Sequence, residues 1–241
     1  MIEKNHSSSF LNDSEKNHSS SFLNDSEKNQ VNSEIRYCAD IGMFATDRSI
    51  KESCKWRTSF CSNCYNNKLF KIFKGMKEKD VRNERFWESL DGDQFKSIMS
   101  KKRKSVKRFR FQTRGETFAY PKDVFKVRDI LLKNPSIDFW LPTRAWRNDV
   151  LKFLIESYIM TLPNAYVQAS LDPTNSLDEW KMLKESGWST MTYGIEDSYT
   201  TPLGDTFHRC KKTHMDIKGY CGKCENGCFS KERKDVLLKQ H

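Results

Sequence analysis

Five short runs rich in branched and aromatic residues alternate with longer segments of helical apolar spacing, and this alternation constrains the fold more than any other feature of the chain. The runs are residues 41–45, 106–112, 137–143, 165–171 and 189–195, each with the composition of a buried pleat. Between them, residues 82–100 place Phe86, Leu90 and Phe95 at helical spacing. Residues 121–133 begin with proline in the first turn and carry Val124, Val127, Ile130 and Leu131. Residues 146–160 and 176–185 complete the series, with Ser176 the expected N-cap ahead of Glu179 and Gly187 the stop. Repeated βα units of this length favour parallel strands with right-handed crossovers, in an open doubly wound sheet or part of a barrel. In either architecture chemistry gathers at the carboxyl ends of the strands.

Those ends are polar and charged here: Thr113-Arg114-Gly115-Glu116, Pro142-Thr143-Arg144, Ser170-Leu171-Asp172 and Gly194-Ile195-Glu196-Asp197. Ordinary loop and cap chemistry accounts for any one of them, but less readily for four beside a cysteine-rich first loop. Asp172, Glu196 and Asp197 are also acid-base candidates, which spacing alone does not select.

Seven of the eight cysteines fall in two groups. Cys54, Cys61 and Cys64, with Tyr65 directly behind, form the first; Cys210, Cys221, Cys224 and Cys228 form the second. Thiolates at short spacings converge on one soft metal ion or an iron-sulfur cluster, whereas cysteines serving as small hydrophobes have no reason to cluster twice. A 4Fe-4S cube needs four ligands, so three thiolates leave one iron open to an exogenous molecule. Four thiolates leave no vacancy, and the second set reads as a structural zinc or a second 4Fe-4S cluster, with His208 and His214 as nitrogen alternatives. Cys38 reads as a buried thiol or as a fourth ligand that would close the first site. Disulfides compete for an even cysteine count, but a chain of 241 residues does not need covalent staples.

The chain opens without an apolar leader, and no apolar run approaches the ~18 to 20 residues of a spanning helix. A soluble protein of a reducing cytoplasm is therefore expected. The unit EKNHSSSFLNDS at residues 3–14 recurs unchanged at 15–26. Two copies with only Phe and Leu to bury cannot stack into a solenoid, so residues 1–33 are expected to be a disordered extension, with His6 and His18 solvated. Residues 34–205 then form the βα domain, and 206–241 a cysteine-rich metal-binding segment. The net charge of +10 permits a polyanionic partner, and the densest basic run is 101–110. That run also lies where a helix should end, a place where the helix dipole favours cations. Six Trp and sixteen Phe supply one sizeable core, so charge alone does not make the chain a disordered binder. A Walker loop, GxGxxG, HExxH and GxSxG are all lacking, which excludes the commonest nucleotide-binding, zinc-protease and hydrolase classes.

The order of a strand, a three-cysteine loop with an aromatic beside its last cysteine, and Gly115-Glu116 after the next strand resembles the radical S-adenosylmethionine (SAM) superfamily. Closer still, the segments ADIGMFATDRSIKESC, CSNCY, RNERFWESLDGDQF, RFRFQTRGETF, NPSIDFWLPTR and CGKCENGCF are similar to the gene-product-88 family of phage and bacterial proteins. The resemblance implies an incomplete parallel (β/α) barrel like the radical SAM core, in which Cys54, Cys61 and Cys64 hold a 4Fe-4S cluster whose open iron binds SAM. Gly115 and Glu116 match by type the glycine-acid motif that meets the methionine amino group. Ser170 and Asp172 resemble a strand end that helps hold SAM, while Arg144 or Arg114 would meet a carboxylate or phosphate. The implied function is reductive cleavage of SAM for radical chemistry on an unknown substrate, with an electron donor as partner, in the host cytoplasm if phage-encoded. The Cys54 to Cys61 gap is longer than in the common loop, RGE stands where the phage family has an SGD-like sequence, and five strands imply a shortened, wide-mouthed barrel.

Two rivals belong to other classes. A zinc-stabilised nucleic-acid-binding protein would use residues 101–110, Lys211, Lys212 and 231–234 on phosphates, with aromatic side chains for stacking. A non-catalytic phage interaction protein would keep its clusters for stability alone.

Overall fold

The structure is a computed structural model that describes residues 34–239, apart from 103–104, 194–199, 226, 231 and 233. The repeat with His6 and His18, the strand end at 194–197, and parts of the basic runs at 101–110 and 231–234 lie outside the described residues.

The strands are β1 (Arg36–Cys38), β2 (Met43–Ala45), β3 (Arg108–Arg110), β4 (Asp138–Thr143), β5 (Ala165–Leu171), β6 (Ser189–Tyr193), β7 (His208–Arg209) and β8 (Val236–Leu238). They form one sheet in the order β1-β2-β3-β4-β5-β6-β8-β7, with β1 antiparallel to β2 and every other pair parallel. The sheet is not closed; β1 and β7 are its edges. The helices are α1 (Ile50–Ser53), α2 (Tyr65–Ile72), α3 (Met76–Ser89), α4 (Gly92–Ser100), α5 (Pro121–Lys133), α6 (Asp149–Tyr158), α7 (Leu177–Glu185) and α8 (Lys211–His214). Among the described residues the fold is thus mixed α/β, with eight helices around an open, mostly parallel eight-stranded sheet.

Strand alternation sorts the sheet into two faces. Phe109, Phe111 and Phe139 point to one face and meet Phe95 of α4 in a ring cluster, with Phe95 and Phe109 centroids 4.9 Å apart and Phe111 stacked on Phe139 at 5.5 Å. The other face carries Met43, Ala45, Trp140, Met191, Val236 and Leu238, and it is covered by the C-terminal segment through Phe229, Cys210, Cys221 and Cys228. Residues 206–241 therefore add two strands to the sheet and a cover to its open face.

Two expected helices are divided. The pattern at 82–100 breaks because Asp91 turns extended and caps α4, its carboxylate accepting from Gln94 N at 2.8 Å, while α3 begins earlier, at Met76. In the 146–160 segment a 3-10 turn at Ala145–Arg147 precedes α6, because Asn148 serves as N-cap and accepts from Leu151 N at 3.0 Å. Helix α5 has the expected bounds, as does α7 with its Ser176–Glu179 capping box. The series does not stop at five strands: β1, β7 and β8 are two or three residues long, too short to carry a readable period.

Candidate functional site

Three of the expected strand ends meet the first cysteine loop at the carboxyl edge of the sheet. Ser49 caps the short helix α1, accepting from Glu52 N, and Cys54 follows as its C-cap, its N–H bonded to Ile50 O at 3.3 Å. The capped end is pinned from below by α3: Asp80 accepts from Ser49 Oγ (2.7 Å) and Ile50 N (3.0 Å), and Glu84 accepts from Ser49 N (3.0 Å). Arg48, fully buried, lies between Glu84 and Asp123 and donates to the Thr117 carbonyl at 3.1 Å.

The Gly115-Glu116 turn docks directly on this segment. Gly115 has φ +87°, and a Cβ there would lie 2.8 Å from Ser53 Oγ and 2.9 Å from Arg48 O. Glu116 N donates to Ser53 Oγ at 2.9 Å, one residue from Cys54. Its carboxylate is buried and accepts from Thr143 Oγ1 (2.7 Å), Phe118 N (3.1 Å) and Arg144 N (2.8 Å), which fastens the end of β4 to the turn. Burial raises the Glu116 pKa above the ordinary carboxyl value, against the pull of those donors.

Asp172, at the end of β5, closes the other side. Its buried carboxylate accepts from Arg144 Nη1 (2.5 Å), Thr58 Oγ1 (2.8 Å) and Thr174 Oγ1 (2.6 Å). Burial opposes its charge, but these bonds outweigh burial and hold its pKa below the usual value. Thr58 also receives Arg144 Nη1 at 3.0 Å, and its backbone N–H points to Cys61 Sγ at 3.4 Å. Arg144, Asp172 and the cysteine loop are thus one hydrogen-bonded unit. Ser170 is buried two residues earlier, on β5, where its carbonyl accepts from Trp146 Nε1 at 3.4 Å.

None of the eight cysteines forms a disulfide. Burial pushes the Cys54 thiol up to about 12, helped by the charge of Glu116 and by Cys64, with Arg57 opposing. In chemistry the three-thiol set suits an iron-sulfur cluster. Among the described residues, however, no group of three or more His, Cys, Asp or Glu, in either cysteine set, is gathered closely enough to hold a metal ion.

Three expectations change. Arg114 does not face the loop; it is buried in an ion pair with Asp80 at 3.2 Å, and Met76 Sδ lies 3.4 Å from its Nη1. Cys38 packs with Cys210, Cys221 and Cys228 against the open-face cluster, by the amino end of β2, and so does not close the first site. Three of the seven basic residues of the 101–110 run are engaged within the protein: Arg108 and Arg110 stack over Phe229 and Trp140 at 4.7 and 4.3 Å, and Lys102 lies over Phe44 at 5.3 Å. Sequence reasoning missed Thr58, Arg48, Asp80 and Glu84. Asp80 and Glu84 stand at i, i+4 on one helix beside an apolar pattern, and that is the only signal they left.

The second cysteine set lies elsewhere. Cys210, Cys221, Cys224 and Cys228 line one small cavity with His208, Trp140 and Phe229, on the open face of the sheet. His214 instead turns its Nδ1 to the Cys210 carbonyl at 3.0 Å. No helix among the described residues is long and apolar enough to cross a membrane.

Comparison with known proteins yields one family: the family model described as Gene product 88 matches residues 10–202. The match spans the first cysteine loop and the three strand ends, and it stops short of Cys210. No curated protein and no solved structure matches the chain.

Proposed function

The chain belongs to the gene product 88 family, and from that premise and the strand-end geometry we propose that it is an iron-sulfur protein with radical SAM-like chemistry. Cys54, Cys61 and Cys64 would hold a 4Fe-4S cluster, leaving one iron for S-adenosylmethionine. When bound and reduced, the cluster supplies the electron that breaks a sulfonium carbon-sulfur bond. The observation that carries the reading is the direct fastening of the three-thiol loop to both neighbouring strand ends, at Ser53–Glu116 and at Thr58–Asp172–Arg144.

The side chains divide the work by exposure. Glu116 is fully engaged with protein donors, so its task is positioning: it keeps the Gly115 turn, Thr143 and Arg144 in register beneath the loop. Arg144 and Asp172 form the charge pair at the mouth, with the Arg144 side chain 17% exposed. A ligand bearing an ammonium and a carboxylate, as the methionyl end of SAM does, can split that pair by meeting Asp172 with one and Arg144 with the other. Buried Ser170 shapes the floor beside it.

A second reading is favoured by the saturation of Glu116: a non-catalytic protein that keeps the cluster for stability. Anaerobic reconstitution decides between them. The proposal expects a brown protein absorbing near ~400 nm, a C61A variant that loses the iron of the first site, and cleavage of SAM by the reduced wild type. Iron bound with SAM left intact selects the structural reading; full iron content in C61A overturns the assignment of the loop.

A further inference from the structure

The second thiol set sits apart from the proposed reactive edge, on the open face of the sheet. Its four sulfurs line a cavity of about 20 Å³, little more than the ~10 to 15 Å³ that one water-sized sphere needs. The four sulfurs must still close in to hold an ion, and a single ion asks for a smaller rearrangement of so small a space than a cube of four irons and four sulfides does. The spacing agrees, with Cys221 inside the 3-10 turn Tyr220–Lys223 and Cys224 capping it as a CxxC pair, and Cys228 and Cys210 arriving from either side.

The surroundings suit a dianionic centre, since four thiolates around a dication carry a net charge of −2. Arg108 donates to the carbonyls of Cys221 (3.4 Å), Gly222 (3.4 Å) and Cys224 (2.5 Å), which holds the CxxC turn against the sheet. Arg110, stacked on Trp140, acts electrostatically on Cys221 and Cys228, and Lys212 acts on Cys221. The loop also abuts the β1–β2 turn: Gly219 N donates to Asp40 O at 2.8 Å, Gly222 N to Ile41 O at 2.9 Å, and Lys212 pairs with Asp40 at 2.7 Å.

We propose that Cys210, Cys221, Cys224 and Cys228 bind a single zinc ion, which clamps the C-terminal segment onto the β1–β2 turn and the open face of the sheet. Loading releases one proton from each thiol, four protons for one Zn(II), and forms four zinc-sulfur bonds with no change of oxidation state. His208 lines the cavity but is not needed as a ligand. Its ring packs on Gly227, where a Cβ would come 2.8 Å from Cδ2.

The test uses the full chain and measures zinc content, with X-ray absorption at the zinc edge. One zinc per chain with four sulfurs at ~2.3 Å is expected. The C61A/C64A variant should keep that zinc, and C221A/C224A should fall from one zinc to none. Cobalt titrated into the metal-free wild type should give the absorption of a tetrahedral thiolate site, a readout that does not depend on any variant folding. An iron-sulfur chromophore persisting in C61A/C64A, fewer than four sulfurs on the zinc, or no zinc uptake overturns the assignment. Because C61A/C64A lacks the ligands of the proposed catalytic cluster, failure there and failure of the zinc site are read separately.

Discussion

At Gly115 a single missing side chain decides whether two parts of the site can touch. The backbone stands at φ +87°, and a Cβ would collide with Ser53 Oγ and with the Arg48 backbone, both under 3.0 Å. Gly204 has nearly the same conformation, φ +89°, with nothing within 4 Å. The pair separates conformational strain from steric conflict. Gly204→Ala should cost about 1 kcal/mol from backbone strain alone. Gly115→Ala should add about 1–3 kcal/mol of overpacking and displace the Glu116 turn from Cys54. Urea denaturation of both variants, with iron uptake as the second readout, checks this; equal losses would mean that the contact is unimportant. The residue types of the site were legible as polar strand ends beside a thiol loop, and Gly115, Glu116, Arg144 and Asp172 do come together. The partners that fasten them were not legible, because Thr58 to Asp172 and Arg48 to Asp123 are contacts between residues far apart in the chain. Arg114 was misjudged for the same reason: beside Glu116 in sequence, it turns instead to Asp80 on α3.

Elements were readable where a cap and a long apolar period coincide, as in α5 and α7, and misread where a cap interrupts the period, as at Asp91. The end of α3 at that break is completed from outside by Lys126 of α5. Its Nζ donates to the carbonyls of Trp87 (2.5 Å), Glu88 (2.9 Å) and Leu90 (2.7 Å), the acceptors a helix terminus leaves open. Lys126→Met removes all three donors and should cost about 1–3 kcal/mol. Burial also lowers the Lys126 pKa to about 8. Between about 8 and the unfolded lysine value of ~10.4 the unfolded chain therefore holds a proton that the folded chain has shed, and stability rises with pH across that window. The difference in unfolding free energy between wild type and Lys126→Met, measured from pH 7.5 to 10.5, should carry that slope. A constant difference would show that the amine titrates alike in both states.

Across the whole molecule, one thiol set lies at the carboxyl edge of the sheet and the other on its open face, and the C-terminal set ties residues near 40 to residues near 220. The tie is a glycine-to-glycine contact. A Cβ at Gly222 would lie 2.2 Å from Gly42 O, and one at Gly42 would lie 2.3 Å from Gly219 O, so the two turns approach with no room for a methyl on either. Backbone bonds from Gly219 to Asp40 and from Gly222 to Ile41 depend on that approach, and so does the covering of Met43, Trp140 and Met191 by the C-terminal segment. Gly222→Ala must push the turns apart, and overpacking of this kind costs about 1–3 kcal/mol. Hydrogen exchange should show lost protection at the Gly219 and Gly222 amides and weaker zinc retention, while iron uptake at Cys54, Cys61 and Cys64 stays at its wild-type level. Gly75→Ala, where a Cβ meets nothing within 4 Å, is the matched control. Unchanged protection at those two amides in Gly222→Ala would mean that the C-terminal segment is held by the sheet alone; loss of both metal sites together would mean that the carboxyl edge and the covered face of the sheet fold as one inseparable unit.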